Sequence, residues 1–107
     1  MINMKNLTQE QWSKEVSEDE NAVILDVRTE EEFVEGYIPT ATNIDIYKGQ
    51  GFIDEIEKLD KSKNYYVYCR SGARSAQACA LMNQQGFENA NNLMGGITDW
   101  DGSIEKK

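Results

Sequence analysis

The sequence predicts a single α/β domain in which helices pack against a central, mainly parallel sheet. Short apolar runs rich in β-branched and aromatic residues alternate along the chain with segments of helical periodicity, an order typical of this class. The chain has 107 residues, which is enough for one hydrophobic core and too few for two. Its single proline and its 39% of apolar residues indicate a globular chain rather than a disordered one.

The first half of the chain is predicted to form two helices and two strands. A Thr-x-x-Gln capping box at 8–11 marks the start of the first helix. The run AVILDV at 22–27 follows, and its continuous apolar character is typical of a strand buried on both faces. A second capping box, Thr-x-x-Glu at 29–32, begins a short helix that ends at Gly36. The segment TNIDI at 42–46 is predicted as the next strand.

The second half repeats the alternation of helix and strand. The segment 52–59 places its apolar residues on one helical face, and 64–69, NYYVYC, is predicted as a strand. The run of small and straight-chain residues at 75–85 predicts a helix that Gly86 closes. A last strand is predicted at 91–94, before a final helical turn close to the C-terminus.

One domain is expected over residues 1–107, with a core from about residue 5 to residue 101 and a frayed tail at 102–107. The formal charge of −8 disfavours binding to nucleic acid or to an anionic membrane, because an acidic surface repels phosphate. The sequence has no signal-peptide pattern and no run of about 20 apolar residues that could span a membrane, so we expect a cytoplasmic protein. Because the net charge is negative, an anionic ligand needs a local pocket of positive charge.

The cysteine and histidine content narrows the possible chemistry. A helix between Cys69 and Cys79 would separate them by roughly 15 Å, beyond the Cα separation of about 7 Å that a disulfide allows. Cys79, in a helix among alanines, is interpreted as a packing residue. The absence of histidine excludes a Cys-His protease, a Ser-His hydrolase and a histidine-ligated zinc site. We expect no metal and no cofactor, and a nucleophile that is activated by other means.

Candidate functional residues follow two of the predicted strands. Cys69 ends one strand, and Asp26 and Arg28 end another, so all three are expected at the rim where the carboxyl ends of parallel strands meet. The same rim is predicted to hold all three arginines of the chain, which are Arg28, Arg70 and Arg74. A guanidinium binds an oxyanion through paired hydrogen bonds, so this arrangement indicates anion recognition. In an alternative interpretation, Arg28 pairs with a local carboxylate such as Asp26 or Glu32.

The loop after Cys69 offers a way to activate its thiol. The loop and the start of the following helix consist of Cys69, Arg70, Ser71, Gly72, Ala73, Arg74 and Ser75. Backbone N–H groups and the positive end of a helix lower the pKa of a thiol below its ordinary value of about 8.5. Gly72 can adopt positive φ and so helps the loop to curl. Ser71 and Ser75 could donate to the sulfur, although a capping role is the preferred interpretation for Ser75.

These residues, with two further motifs, resemble a known family. CRSGARS at 69–75, DVRTEEEFVEGYIPTATNI at 26–44 and FENANNLMGGITDW at 87–100 are together similar to a single-domain rhodanese, a sulfurtransferase. The resemblance runs from about residue 5 to residue 101, and it implies a five-stranded sheet flanked by helices. The sequence departs from the family pattern Gly-His-Ile-Pro-Gly-Ala at one segment, which here is GYIPTA. Tyr37 replaces the histidine of that pattern, and Thr40 replaces its second glycine.

The resemblance also implies a reaction and its participants. Cys69 would take a sulfane sulfur from a small anionic donor such as thiosulfate and become a persulfide. The loop amides, Arg70 and Arg74 would hold the persulfide and the donor, while Asp26 and Arg28 would be mainly architectural. Cyanide, a thiol or a thioredoxin-like protein would then accept the sulfur.

Two other functions are compatible with the same residues. A cysteine phosphatase or arsenate reductase also uses a thiolate and a loop arginine, but those loops resemble Cys-x5-Arg, whereas Cys69 and Arg74 are spaced Cys-x4-Arg. The shorter loop forms a smaller cradle, which suits sulfur better than phosphate. The second alternative is a non-catalytic interaction module, in which Cys69 is at most a redox sensor.

Overall fold

Five parallel strands form the central sheet in the computed structural model, which describes residues 5–107. They are β1 (Lys5–Leu7), β2 (Ala22–Asp26), β3 (Thr42–Asn43), β4 (Asn64–Tyr68) and β5 (Asn89–Leu93). Their order across the sheet is β1-β5-β4-β2-β3, and every neighbouring pair is parallel. The predicted α/β class and five-stranded sheet are therefore confirmed.

Four helices connect these strands. They are α1 (Gln9–Glu18), α2 (Glu30–Glu35), α3 (Gln50–Glu57) and α4 (Ala73–Gln84). Short 3-10 turns add Ile46–Lys48 and Ile97–Asp99. Both predicted capping boxes are present, since Thr8 and Thr29 each exchange reciprocal hydrogen bonds with the residue three positions later.

The chain departs from the predicted elements at three places. β1 has no counterpart among the strands indicated by the apolar pattern; it is a three-residue edge strand, exposed except at Leu7, that is held by pairing with β5. The strand predicted at 42–46 stops at Asn43, because the Asp45 side chain accepts a hydrogen bond from the Tyr47 N–H at 2.8 Å and starts a 3-10 turn. The predicted capping role of Ser75 is wrong, because α4 begins after Gly72 and includes Ser75 in its first turn.

The hydrophobic core lies on both faces of the sheet. Side chains alternate along β4, so Tyr65 and Val67 pack on the face covered by α3 and α4, while Tyr66 and Tyr68 pack on the opposite face beneath α1. Trp12 of α1 is completely buried there. With helices on both faces, the carboxyl ends of the strands remain free to carry a site.

The C-terminal segment is held against the domain, and the prediction of a frayed tail at 102–107 is wrong. Glu105 and Tyr37 exchange two backbone hydrogen bonds of 2.8 Å, and the Lys107 N–H donates to the Val34 carbonyl at 3.1 Å. These contacts join the tail to α2 and to the turn that follows it. Among residues 5–107, no helix is both long and apolar enough to cross a membrane.

Candidate active site

Cys69 lies where β4 passes into the loop that leads to α4, and the residue is only 1% exposed. The Gly72 N–H donates to its Sγ at 3.1 Å, and the Ser75 Oγ lies 3.4 Å from the same sulfur. Gly72 has a φ of 108°, a left-handed conformation that glycine adopts without the strain a Cβ would cause. The loop thus curls around the sulfur, as its glycine predicts.

The hydrogen bonds around Sγ favour the thiolate. Burial alone would raise the pKa of the Cys69 thiol, but donors from Ser75, Gly72 and Ser71 outweigh it, and the pKa falls below its ordinary value. The Ser75 hydroxyl makes the largest of these favourable contributions, followed by the backbone N–H groups. The sulfur is therefore buried and yet belongs to a thiol with a lowered pKa.

Cys79 occupies a different environment. It is completely buried in α4, and burial raises the pKa of its thiol to about 12. Both cysteines are free thiols, so the expectation that they form no disulfide is confirmed. Cys79 packs with the core residues on the α4 face of the sheet, in agreement with its interpretation as a packing residue.

Arg74 is bound to a carboxylate rather than turned toward an open anion site. Its two terminal nitrogens donate to the two carboxylate oxygens of Glu32 at 2.8 and 2.9 Å. The Arg74 guanidinium lowers the pKa of Glu32 to about 2 and also lies 5.2 Å from the centre of the Tyr47 ring. This ion pair joins the first turn of α4 to α2, and neither Glu32 nor Tyr47 was assigned a role in the site from the sequence.

Arg28 is also committed to internal contacts. Its guanidinium pairs with the fully buried Asp26 at 2.6 Å and donates to the Gly36 carbonyl at 2.6 Å. The guanidinium lies 5.6 Å from the centre of the Tyr68 ring. These contacts fit the interpretation in which Arg28 pairs with Asp26 and supports the rim from below.

Arg70 is the exposed arginine at the mouth of the loop. Within residues 5–107, its guanidinium makes no ion pair, while its carbonyl accepts hydrogen bonds from the Thr98 N–H and hydroxyl at 3.1 and 2.8 Å. It borders a shallow cavity of about 250 Å³, which is lined by Arg28, Glu32, Glu35, Gly36, Arg70, Ile97 and Thr98. A larger groove of about 390 Å³ between β3 and α3 includes none of the loop residues, whereas the smaller cavity includes Arg70.

The Gly95-Gly96 turn supports the loop from the opposite side. The Ile97 N–H donates to the Cys69 carbonyl at 3.0 Å. A Cβ on Gly96 would overlap the Arg70 carbonyl and lie 2.7 Å from the Cys69 carbonyl oxygen. The absence of a side chain at Gly96 therefore lets the two backbones touch, a role that sequence reasoning did not assign.

The two residues that depart from the family motif lie in the turn after α2. Tyr37 stacks on Phe33, with ring centres 4.3 Å apart, and its backbone pairs with Glu105. Thr40 has a φ of 71°, in the left-handed region that a glycine would occupy without strain. Neither residue lies in the 69–75 loop, and Tyr37 instead contacts α2 and the C-terminal segment.

The predicted site residues thus fall into three groups. Gly72 and Ser75 meet Cys69 at its sulfur, and the Ser71 N–H contributes to the same hydrogen bonding. Arg70 lies at the mouth. The remaining predicted residues serve structural contacts: they are Asp26 and Arg28 below the rim, Arg74 in the ion pair with α2, and Ala73 at the start of α4.

Comparison with known proteins shows the family of the chain. The family described as "Rhodanese-like domain" matches residues 9–103. A sulfurtransferase of Allochromatium vinosum is 37% identical over 94% of this chain and 89% of its own length. A tRNA uridine(34) hydroxylase of Pelagibacter ubique is 30% identical over 98% of this chain but over only 35% of its own length.

Solved structures support the same relationship. The crystal structure of a rhodanese-like domain protein from Staphylococcus aureus superposes with a TM-score of 0.83 at 33% identity, and the match covers 97% of this chain and 99% of that one. The structural match therefore extends over nearly the whole of both chains. The chain belongs to the rhodanese-like family.

Proposed function

We propose that the protein is a sulfurtransferase that carries sulfane sulfur on Cys69. The observation that carries this proposal is the buried Sγ with the Gly72 N–H at 3.1 Å and a lowered pKa, because a lowered pKa increases the fraction of the nucleophilic thiolate. A relative that covers most of both chains is also named as a sulfurtransferase.

The reaction is two displacements at sulfur. In the first, the Cys69 thiolate attacks the outer sulfur of thiosulfate; a new S–S bond forms, the original S–S bond breaks, and sulfite leaves with the electron pair. In the second, an acceptor attacks the terminal sulfur of the persulfide, and the Cys69 thiolate is restored. Cyanide is the laboratory acceptor, and a thiol or a thioredoxin-like protein is the proposed cellular one.

Arg70 is proposed as the cation that receives the anionic donor. Arg28 is paired with Asp26 and Arg74 with Glu32, so their positive charges are already balanced, whereas Arg70 borders the open cavity without an ion pair among residues 5–107. A charge-assisted hydrogen bond from its guanidinium would orient the sulfonate of thiosulfate.

The phosphatase alternative receives little support from the same contacts. A phosphatase loop needs its arginine free to hold the three oxygens of a phosphoryl group, and here both terminal nitrogens of Arg74 already donate to Glu32. The interaction-module alternative receives some support from the occurrence of this domain within a much longer relative. It gives no reason for the activated thiol.

Intact-mass measurement after incubation with thiosulfate tests the proposal. The expected result is the gain of one sulfur atom in the wild type and in Cys79→Ser, no gain in Cys69→Ser, and discharge by cyanide. A small thiol persulfide serves as a second donor, so that a failure of thiosulfate alone is distinguished from the absence of sulfur transfer. If neither donor loads Cys69, the sulfurtransferase proposal is wrong.

A further inference from the structure

Asn92, near the end of β5, lies beside the loop and is only 4% exposed. Its Nδ2 donates to the Asn6 Oδ1 of β1 at 2.9 Å and to the Gly72 carbonyl at 3.3 Å. Its Oδ1 accepts the hydroxyl of Ser75 at 2.5 Å. The buried amide of Asn92 therefore forms hydrogen bonds with β1, with the loop and with the first turn of α4.

The contacts fix which way this amide points. The Gly72 carbonyl can only accept a hydrogen bond, so the nitrogen of the Asn92 side chain must face it. The oxygen is then directed to Ser75, whose hydroxyl can donate to it. An amide is suited to this position because it donates on one side and accepts on the other.

Both groups held by Asn92 also touch the sulfur of Cys69. The N–H of Gly72 is 3.1 Å from Sγ, and the Oγ of Ser75 is 3.4 Å from it. The Gly72 carbonyl also accepts the Ala76 N–H at 3.1 Å and lies 3.2 Å from the Ser75 Oγ, so the Asn92 amide adds to contacts that α4 already makes with it. Ser75 is completely buried, and its hydroxyl lies between Asn92 and the sulfur.

We propose that Asn92 is a positioning residue that fixes Gly72 and Ser75 at the Cys69 sulfur, Gly72 as an N–H donor and Ser75 as a hydroxyl whose single proton is shared between the Asn92 Oδ1 and Sγ. The inference rests on the proposed role of Cys69 as the nucleophile. Without the Asn92 amide, the Ala76 N–H still holds the Gly72 carbonyl, but Gly72 has one contact fewer and the Ser75 hydroxyl loses its nearest partner. Both groups are then held less firmly at the sulfur, and the thiolate loses stabilisation. The pKa of Cys69 then rises, and its reactivity at neutral pH falls.

Asn91 offers a matched control in the adjacent position. It is also 4% exposed and in β5, but successive side chains in a strand point to opposite faces, and its Nδ2 donates to the Tyr65 carbonyl at 3.1 Å. Asn91→Ala therefore removes a buried amide of the same size and leaves the contacts of Asn92 in place. It separates a general loss of stability from an effect on the sulfur.

The test is the rate of Cys69 alkylation by iodoacetamide as a function of pH, in Asn92→Ala and Asn91→Ala, each in a Cys79→Ser background. We expect the midpoint to move to higher pH and the rate at pH 7 to fall roughly threefold or more only in Asn92→Ala. Melting temperatures, measured in parallel, should fall in both variants. If Asn92→Ala does not fold, Asn92→Ser replaces it in the test. Its side chain is polar but too short to reach Gly72 and Ser75.

Three outcomes would overturn the proposal: an unchanged midpoint, an equal shift in both variants, or a shift of Asn92→Ala to lower pH. The last would mean that Asn92 competes with the sulfur for the single Ser75 proton. Alkylation needs no sulfur donor, so the two proposals are tested separately. The proposal for Asn92 can be wrong in a protein that transfers sulfur, and it can be right in a protein that does not.

Discussion

Arg74 and Glu32 form a two-point ion pair, with N–O distances of 2.8 and 2.9 Å, that fastens the helix behind the nucleophile to α2. The side chains of both residues are mostly buried, with 18% and 26% of their surfaces exposed. Because the pair is formed within the chain, the positive charge of Arg74 stabilises the loop rather than remaining available to a ligand.

We predict that Arg74→Ala destabilises the fold by about 1 to 2 kcal/mol at pH 7, between the values typical of exposed ion pairs and of charge-assisted hydrogen bonds. The control is Lys61→Ala, which breaks the more exposed pair with Glu57 and should cost less than about 1 kcal/mol. Urea unfolding of the three proteins measures both values. Equal losses in the two variants would contradict the special role of the Arg74 pair.

The same pair predicts a pH dependence of stability. The pKa of Glu32 is lowered from 4.5 to about 2, so its contribution is complete above pH 4.5 and is lost as the pH falls toward 2. We expect the stability difference between wild type and Arg74→Ala to shrink over this pH range, because the Glu32 carboxylate is protonated and the ion pair is lost. Urea titrations from pH 7 to pH 2.5 measure it, and a constant difference would show that Glu32 is not the partner that matters.

Arg70 is predicted to determine the use of anionic donors. Arg70→Ala should lower kcat/KM for thiosulfate by a factor corresponding to about 1.5 to 3 kcal/mol, because one charge-assisted hydrogen bond is lost. Arg70→Lys keeps the positive charge, and its kcat/KM for thiosulfate should lie between the values of the wild type and of Arg70→Ala. Alkylation of Cys69 by neutral iodoacetamide should be unaffected in both variants. Turnover of thiosulfate at the wild-type rate in Arg70→Ala would remove Arg70 from the donor site.

The two cysteines are predicted to react very differently in the folded protein. The pKa of Cys69 is lowered, so its alkylation rate should level off at a lower pH than that of a free cysteine, whose pKa is about 8.5. Burial raises the pKa of Cys79 to about 12, so that thiol should remain unmodified. Intact mass should show one adduct under native conditions and two in denaturant. A midpoint at or above 8.5 would contradict the activation of Cys69.

Gly96 is predicted to be intolerant of any side chain. Gly49 is a matched control, since its φ of 57° resembles the 59° of Gly96 but a Cβ there meets nothing within 4 Å. Gly49→Ala should cost about 1 to 2 kcal/mol from backbone strain alone. Gly96→Ala should cost roughly 1 to 3 kcal/mol more, because its Cβ displaces the Arg70 carbonyl. Sulfur loading should fall only in Gly96→Ala; equal behaviour of the two variants would exclude a contact effect.

Features encoded by neighbouring residues could be predicted from the sequence. The capping boxes at Thr8 and Thr29 depend on residues three positions apart, and both are present. The placement of Cys69 at a strand end before a helix follows from the apolar pattern, and the curl of its loop follows from Gly72. These are local relationships, so a single sequence contains them.

Features that depend on distant residues could not be predicted in the same way. Glu32 and Arg74 are 42 positions apart, and nothing near either residue indicates the other. β1 is a strand only because β5 pairs with it, and Asn92 contacts Gly72 across 20 positions. The residue patterns predicted the α/β class and Cys69, and the resemblance to a family added the five-stranded sheet and the reaction, but the contacts that support this particular loop are seen only in the three-dimensional structure.

Thr40 is predicted to be a site of stored strain. It is a β-branched residue at a φ of 71°, and its side chain is exposed, so little packing compensates for the unfavourable backbone. A left-handed conformation costs about 1 to 2 kcal/mol in a non-glycine residue, whereas the extra freedom of glycine in the unfolded chain costs about 0.5 to 1 kcal/mol. Thr40→Gly should therefore stabilise the protein by about 0.5 to 1 kcal/mol, a rise of a few degrees in Tm.

The control for Thr40 is Thr42→Gly, two residues further on in the edge strand β3, where threonine is also exposed but the backbone is extended. There the substitution only adds freedom to the unfolded chain and removes a residue that favours strands, so Tm should fall. Thermal unfolding followed by circular dichroism measures both variants. A decrease of Tm in Thr40→Gly comparable to that in Thr42→Gly would mean that the side chain of Thr40 contributes more through its contacts than its backbone conformation costs.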